Sequence, residues 1–212
     1  MKRKSYEIDM CSGSLFPKIL MFSIPLMLSS ILQLLFNAAD MVVVGRFAGS
    51  TALAAVGANA SLINLLTNLF IGFSVGANVL VARFCGAKKE GEISETVHTA
   101  VVLGLVCGFG LMVFGMLIAP QILVVMGTPG DVLSQAVLYI RIYFAGMPVI
   151  LLYNFGSSIL RAVGDTQRPL YYLFGAGVIN IVLNLIFVIG FHLGVAGVAL
   201  ATVISQVVSA GL

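Results

Sequence analysis

Of the eight Asp and Glu residues in this sequence, only Asp40 lies within a continuous apolar run. A charge removed from water is costly, so an ionisable group in such a place is a functional candidate that has to find partners. Gln33, Asn37 and Asp40 are four and three residues apart, share one helical face and can point together into a cavity. Asn180 with Asn184, and Thr202 with Gln206, repeat the four-residue spacing. A desolvated carboxylate can exchange a proton, or bind Na+ with amide and hydroxyl oxygens completing the shell. A plainer reading is open as well. Asp40 lies 22 residues past Lys18, near the far membrane face, where it can meet headgroups or pair with Arg46. The amides and hydroxyls can equally serve as hydrogen-bonding glue between helices.

The elements that position these residues follow from composition. The chain is 60% hydrophobic and only 9% charged, against about a quarter charged in soluble domains. That excludes a soluble globule, since most of the surface must meet lipid or another protein. A net charge of +3 gives nucleic acid no role. Apolar segments run over 15–44, 52–81, 97–119, 132–160, 170–189 and 195–212, and a helical span needs about 20 residues. The expectation is an all-α, polytopic membrane protein of six transmembrane helices. A β-barrel would show short alternating segments instead. The first, second and fourth runs are long enough to tilt, kink or project, with Pro25 and Pro148 as candidate bends.

Alternating spans place Lys2, Arg3, Lys4, Lys18, Arg83, Lys88, Lys89, Arg161 and Arg168 on one side, and only Arg46 and Arg141 on the other. The positive-inside bias makes the first side cytoplasmic, with the N-terminus, the 83–96 loop and the 161–169 loop. The start MKRK looks like a signal peptide, but the following run is too long for one and reads as a retained first span. Residues 1–14 are therefore expected as a cytoplasmic segment and 15–212 as the membrane lobe. The connection from Pro120 to Asp131 carries the breakers Pro129 and Gly130.

The second span carries Asn64 with Asn68 and Ser74 with Asn78, a face that is either wetted or tightly packed. The small pairs Gly72/Gly76 and Gly104/Gly108 read as close helix contacts. Tyr139 and Tyr143 read as interface aromatics flanking a structural Arg141. His98 and His192 have no partners at metal spacing, and Cys11, Cys85 and Cys107 suggest neither disulfide nor zinc. No HExxH pair, Walker loop or nucleophile elbow occurs, which argues against a membrane enzyme or an ATP-driven pump.

The stretch LRAVGDTQRP at Leu160–Pro169, followed by INIVLNLIFV, resembles the loop and fifth helix of multidrug and toxic compound extrusion (MATE) transporters. The resemblance continues through IPLMLSSILQLLFNAADMVVVGRFAG and ALAAVGANASLINLLTNLFIGFSVGANVLVARFCGAKK, covering nearly the whole chain. It implies one six-helix lobe of a two-lobe exporter that opens alternately to each side, here the N-terminal lobe of a truncated chain. It further implies a coupling-ion site for H+ or Na+ at Asp40, fifteen residues after Pro25, with Asn180, Asn184 and Thr202. Pro25, Gln33, Asn37, Asn64, Asn68 and Gln206 are the accompanying cavity or helix-bend candidates. Many relatives carry aspartate where this chain has Asn184, so ion coupling in this lobe would fall on Asp40 alone. No cofactor is expected beyond the ion. The implied partners are organic cations or amphiphilic drugs, the bilayer, and a second lobe or second copy of this half. The implied location is a bacterial inner membrane. Two other readings stand beside this one. A lipid-linked precursor flippase would need several cations in its cavity, where only Arg141 is intramembrane, and an isolated half could be an inactive membrane scaffold.

Overall fold

The computed structural model describes Ile8 and residues 13–212, and among these the chain is helical with no strand. Helix α1 (Leu15–Val43) widens into a π-helical segment at Val44–Ala48, and α2 (Ser50–Gly86) and α3 (Glu90–Val125) follow. Then come α4 (Gly130–Ala145), α5 (Met147–Ala162), α6 (Gln167–Asn184) with a second π-helical segment at Leu185–Gly190, and α7 (Gly194–Gly211). Five of these units are individually long and apolar enough to cross a membrane, and α4 with α5, bent by 51°, makes a sixth span. Cys11, Lys2, Arg3 and Lys4 lie outside the described residues.

The helices outrun the apolar segments, because a helix need not stop where the hydrocarbon does. The third span, expected over 97–119, has 36 residues, or about 54 Å of helix against a core of about 30 Å. Its added first turn carries Glu90 and Glu92, whose charges suit a helix N-terminus. Pro120, expected to open a loop, lies inside α3. Ala119 and Leu123, fully buried one turn apart, hold the chain helical past it. The helix ends instead at Gly127, whose positive φ of 75° lets the Gly127 and Thr128 amides bond back to Val124 and Leu123. Of the two candidate bends, Pro148 sits just past the break between α4 and α5, whereas α1 runs through Pro25 as one helix.

Within a bilayer, packing and hydrogen bonds rather than hydrophobicity drive helix association. The glycine stripe of α3 acts accordingly. Gly104 meets Phe155, Gly108 meets the Pro148 backbone and Gly115 meets Phe144, so α3 lies directly against the broken span. Gly72 and Gly76, read as a similar contact, face open space and are exposed. Large apolar side chains such as Phe16, Leu34, Leu65 and Leu117 are more than half exposed. On α2 the Ser74/Asn78 pair is the packed one. Asn78 donates to the Ser158 carbonyl at 2.9 Å and Ser158 donates to the Ser74 carbonyl at 3.1 Å.

The two ends of the lobe differ. A packed cluster including Val44, Ala55, Leu123, Ile140, Phe144 and Val198 fills the end where α1 meets α2. At the opposite end the Ile8 amide donates to the Gly164 carbonyl at 3.2 Å, which ties Ile8 to the α5–α6 turn. A β-carbon at Gly108 would stand 2.5 Å from the Pro148 Cα, where backbone cannot yield cheaply. Gly108→Val should therefore destabilise the lobe by about 1–3 kcal/mol or more, read as a lower unfolding midpoint in detergent, while Gly72→Val should leave it nearly unchanged.

Candidate functional site

Three helices bring the intramembrane carboxylate its partners. Gly177 has no side chain, and the Phe36 ring occupies the space a β-carbon would fill, so α1 and α6 approach closely. One turn beyond Phe36 lies Asp40, and two turns beyond Gly177 lies Asn184, so the same contact sets these two side chains face to face. The Asn184 amide nitrogen donates to Asp40 Oδ1 and, at 3.2 Å, to Asn180 Oδ1, which uses both of its hydrogens. Asn180 Nδ2 reaches Thr202 Oγ1 on α7 at 3.5 Å, and Thr202 in turn donates to the Val198 carbonyl at 3.0 Å. All four expected coupling residues thus form one connected chain.

Asn184 is fully buried, Asn180 is buried, and Asp40 is half-buried. Asn184 Oδ1 is buried with no hydrogen-bond partner. The carboxylate therefore faces an N–H donor, and the unpaired amide oxygen is an acceptor that rotation of the side chain would turn toward a proton-bearing group or a small cation. Both π-helical segments begin just past this site, one after Asp40 and the other directly after Asn184, and wide turns of this kind are common at functional places in helices. The periodicity of the apolar runs carries no sign of them.

Tyr139 is placed differently from the sequence reading. It was expected at a membrane interface, yet it is 7% exposed, stacks on Tyr143 at 6.4 Å and belongs to the packed core. The signal was present in the stripe Val132, Ala136, Tyr139, Ile140 and Phe144, which follows helical spacing and is buried throughout. Arg141, between the two tyrosines, points away and is exposed.

Beside this chain, on the side toward the N-terminus, lies a cavity of about 380 Å³. Gln33 and Gln206 line it, as does Tyr143, and along α1 Asp40 stands between Gln33 in the cavity wall and Val43 in the packed end. Asn37, Asn64 and Asn68 are exposed and do not line it. Pro25 is buried within α1 and its carbonyl accepts from Ser29 Oγ at 2.8 Å. The plainer pairing of Asp40 with Arg46 is not adopted, since Arg46 is exposed in the π-helical segment and Asp40 turns to Asn184. His98 and His192 are exposed, and no cluster of three His, Cys, Asp or Glu occurs among the described residues.

Residues 25–186 match the family model MatE. The chain is 36% identical over 198 residues to the probable multidrug resistance protein YoeA of Bacillus subtilis, covering 92% of this chain and 43% of that protein. It is 25% identical over 197 residues to the multidrug export protein MepA of Staphylococcus saprophyticus, covering 93% and 44%. A solved structure described as MATE in the bent conformation superposes with a TM-score of 0.84 at 31% identity over 91% of this chain and 43% of that one. A MOP superfamily transporter from Pyrococcus furiosus gives 0.86 at 31% over 91% and 42%. The chain therefore spans less than half the length of the relatives it matches.

Removing the Asn184 amide would leave Asp40 facing an apolar wall. Asn184→Ala should cost about 1–3 kcal/mol, and the Asp40→Asn/Asn184→Ala double variant should lose clearly less than the sum of the single losses, because the two side chains share one interaction. Unfolding of the four proteins in detergent measures this, and strictly additive losses would contradict the contact.

Proposed function

The chain belongs to the MatE family, and from that premise we propose that it is the N-terminal lobe of a secondary exporter. In this reading Asp40 couples inward movement of H+ or Na+ to outward movement of organic cations or amphiphilic drugs. The observation that carries the proposal is the connection of Asp40 to Asn184, Asn180 and Thr202 across three helices, beside a cavity large enough for a small molecule. The substrate class is taken from the names of the relatives. The second lobe would be a further half of the same protein or another copy of this one. The location proposed is a bacterial inner membrane, with the N-terminus in the cytoplasm as the distribution of Lys and Arg requires.

The coupling step rests on the asymmetry of an amide. With Asp40 ionised, the Asn184 nitrogen faces it and the Asn184 oxygen is left unpaired. When Asp40 takes a proton or a Na+ ion, the favoured partner becomes an oxygen, and rotation of the Asn184 amide supplies one. That rotation withdraws a donor from Asn180, whose contact with Thr202 links α6 to α7. Ion binding thereby changes which packing of α1, α6 and α7 is preferred, and it shifts the population only by its differential affinity for the two packings. One charge entering across 100 mV releases about 2.3 kcal/mol, to which a concentration gradient adds.

An anionic-lipid flippase is the less favoured reading. It calls for several cations in the cavity, and among the described residues one, Arg161, lines it. Efflux of a fluorescent organic cation from vesicles carrying the protein, under separate Na+ and proton gradients, tests the proposal. Efflux should follow one of the two gradients, and Asp40→Asn should lower its initial rate by about tenfold or more while the protein still elutes as a folded species. Equal rates and an unchanged ion dependence in Asp40→Asn would remove Asp40 from the coupling step.

A further inference from the structure

Arg161, expected in a cytoplasmic loop, forms part of the cavity wall. It lies in the last turn of α5, and its side chain lines the cavity of about 380 Å³ together with Tyr153, Asn154, Ser157 and Ser158. No Asp or Glu lines that cavity among the described residues. The position at a helix C-terminus accounts for tolerance of the charge, but not for its hydrogen bonding, because Arg161 Nε is buried with no partner. A guanidinium offers five donors and no acceptor, so a half-buried one whose Nε hydrogen meets no acceptor has a donor free for an oxyanion. The neighbouring hydroxyls spend their hydrogens on backbone carbonyls, and none of their oxygens accepts from Arg161 Nε. Ser158 donates to the Ser74 carbonyl, Ser157 to the Asn154 carbonyl at 3.2 Å, and Tyr153 to the Pro169 carbonyl at 3.4 Å.

Shape limits the ligand further. Along α5 the cavity wall runs from Ile150 to Arg161, eleven residues, or about 16 Å of helix. Leu26, Ile71, Val75 and Leu173 give it apolar surface over that length. A free inorganic anion would fill only the Arg161 end and leave this surface unused. We propose that Arg161 is the oxyanion subsite of the cavity, holding the acidic end of an amphiphile whose apolar body lies along α5 toward Tyr143. This rests on the exporter reading and extends its organic cations and amphiphilic drugs to amphiphiles carrying one acidic group. The oxyanion can be presented by a soluble carboxylic acid or by a lipid headgroup from the adjacent leaflet.

The test is equilibrium binding to the protein in nanodiscs, which needs no ion gradient, so failure of coupled efflux and failure of this site remain distinct results. The probes are 11-(dansylamino)undecanoic acid and its methyl ester, at a mildly alkaline pH where the free acid is ionised, with empty discs subtracted. In phosphatidylcholine discs the wild-type protein should bind the acid about tenfold more tightly than the ester, the expected worth of one charge-assisted contact. Arg161→Gln should bind the two alike, and Arg161→Lys should keep part of the preference. Phosphatidylglycerol in the disc should weaken acid binding to wild type more than to Arg161→Gln where the leaflet supplies the oxyanion, and equally in both where solution does; either result retains the site and names its source. Equal affinity for acid and ester in wild type, or a preference that survives in Arg161→Gln, overturns the proposal. The wild-type comparison involves no variant, so it decides even where Arg161→Gln does not fold.

Discussion

A carboxylate inside a bilayer must be solvated by the protein, and for Asp40 that solvent is the amide of Asn184. Much of the lobe's arrangement follows from holding these two groups together. The amide has to arrive on a different helix from the acid, so α1 and α6 must approach more closely than ordinary side chains allow. Gly177 permits that approach by yielding its side-chain volume to Phe36. Once α6 is in place, its next polar residue, Asn180, faces α7, and Thr202 closes the chain against its own backbone. The polar residues therefore do the work that apolar contacts alone cannot do in lipid, where burial of a leucine is worth little.

The lobe divides that polar work from its packing along the membrane normal. The end where α1 meets α2 is filled by interlocking small and branched side chains, while the other end holds a cavity walled by Ser29, Ser74, Ser157 and Ser158. Asp40 stands at the boundary, between the cavity residue Gln33 and the packed Val43. At such a boundary a small rearrangement has a large effect on hydration, since one side is already close-packed and the other is already open. The widened turns that follow Asp40 and Asn184 lie just past this boundary, where they can take up a change in helix register without breaking the hydrogen-bonded backbone.

The number and order of the spans were legible because hydrophobic length is a coarse quantity and the bilayer fixes its threshold. Asp40, Asn180, Asn184 and Thr202 stood out because each is polar where lipid punishes polarity, but their grouping came from the resemblance to MATE transporters, since Asn64 and Asn68 are just as polar and yet exposed. What escaped depends on contacts rather than composition. Tyr139 carries an apolar ring and a hydroxyl and so suits an interface and a buried core equally, and only the packing of α2, α3 and α7 against α4 decides between them. Gly72/Gly76 and Gly104/Gly108 are identical as patterns, yet one pair packs and the other faces open space, because the partner helix is absent from the motif. Pro120 reads as a breaker but is overruled by buried Ala119 and Leu123 on either side. Arg161 was assigned to a loop because charge marks span ends, whereas its long side chain reaches back along α5 into the cavity.

Asn184 also bears on how a lobe with a single carboxylate can form a two-state site. Two carboxylates at these positions would repel one another when both ionise and would share a proton when one does, so their states would differ mainly in charge. An asparagine beside one carboxylate makes the states differ in hydrogen-bond polarity instead. Its nitrogen satisfies an ionised acid and its oxygen satisfies a protonated or cation-bound one, with no second charge to desolvate. The unpartnered Asn184 oxygen is, on the proposed reading, the acceptor that rotation of the amide would offer to the ion. On the proposed reading the lobe moves at most one charge per turnover at this site. The identity of the ion is then set by whether the space beside Asp40 admits the several oxygens that Na+ demands or only the single acceptor that suffices for a proton.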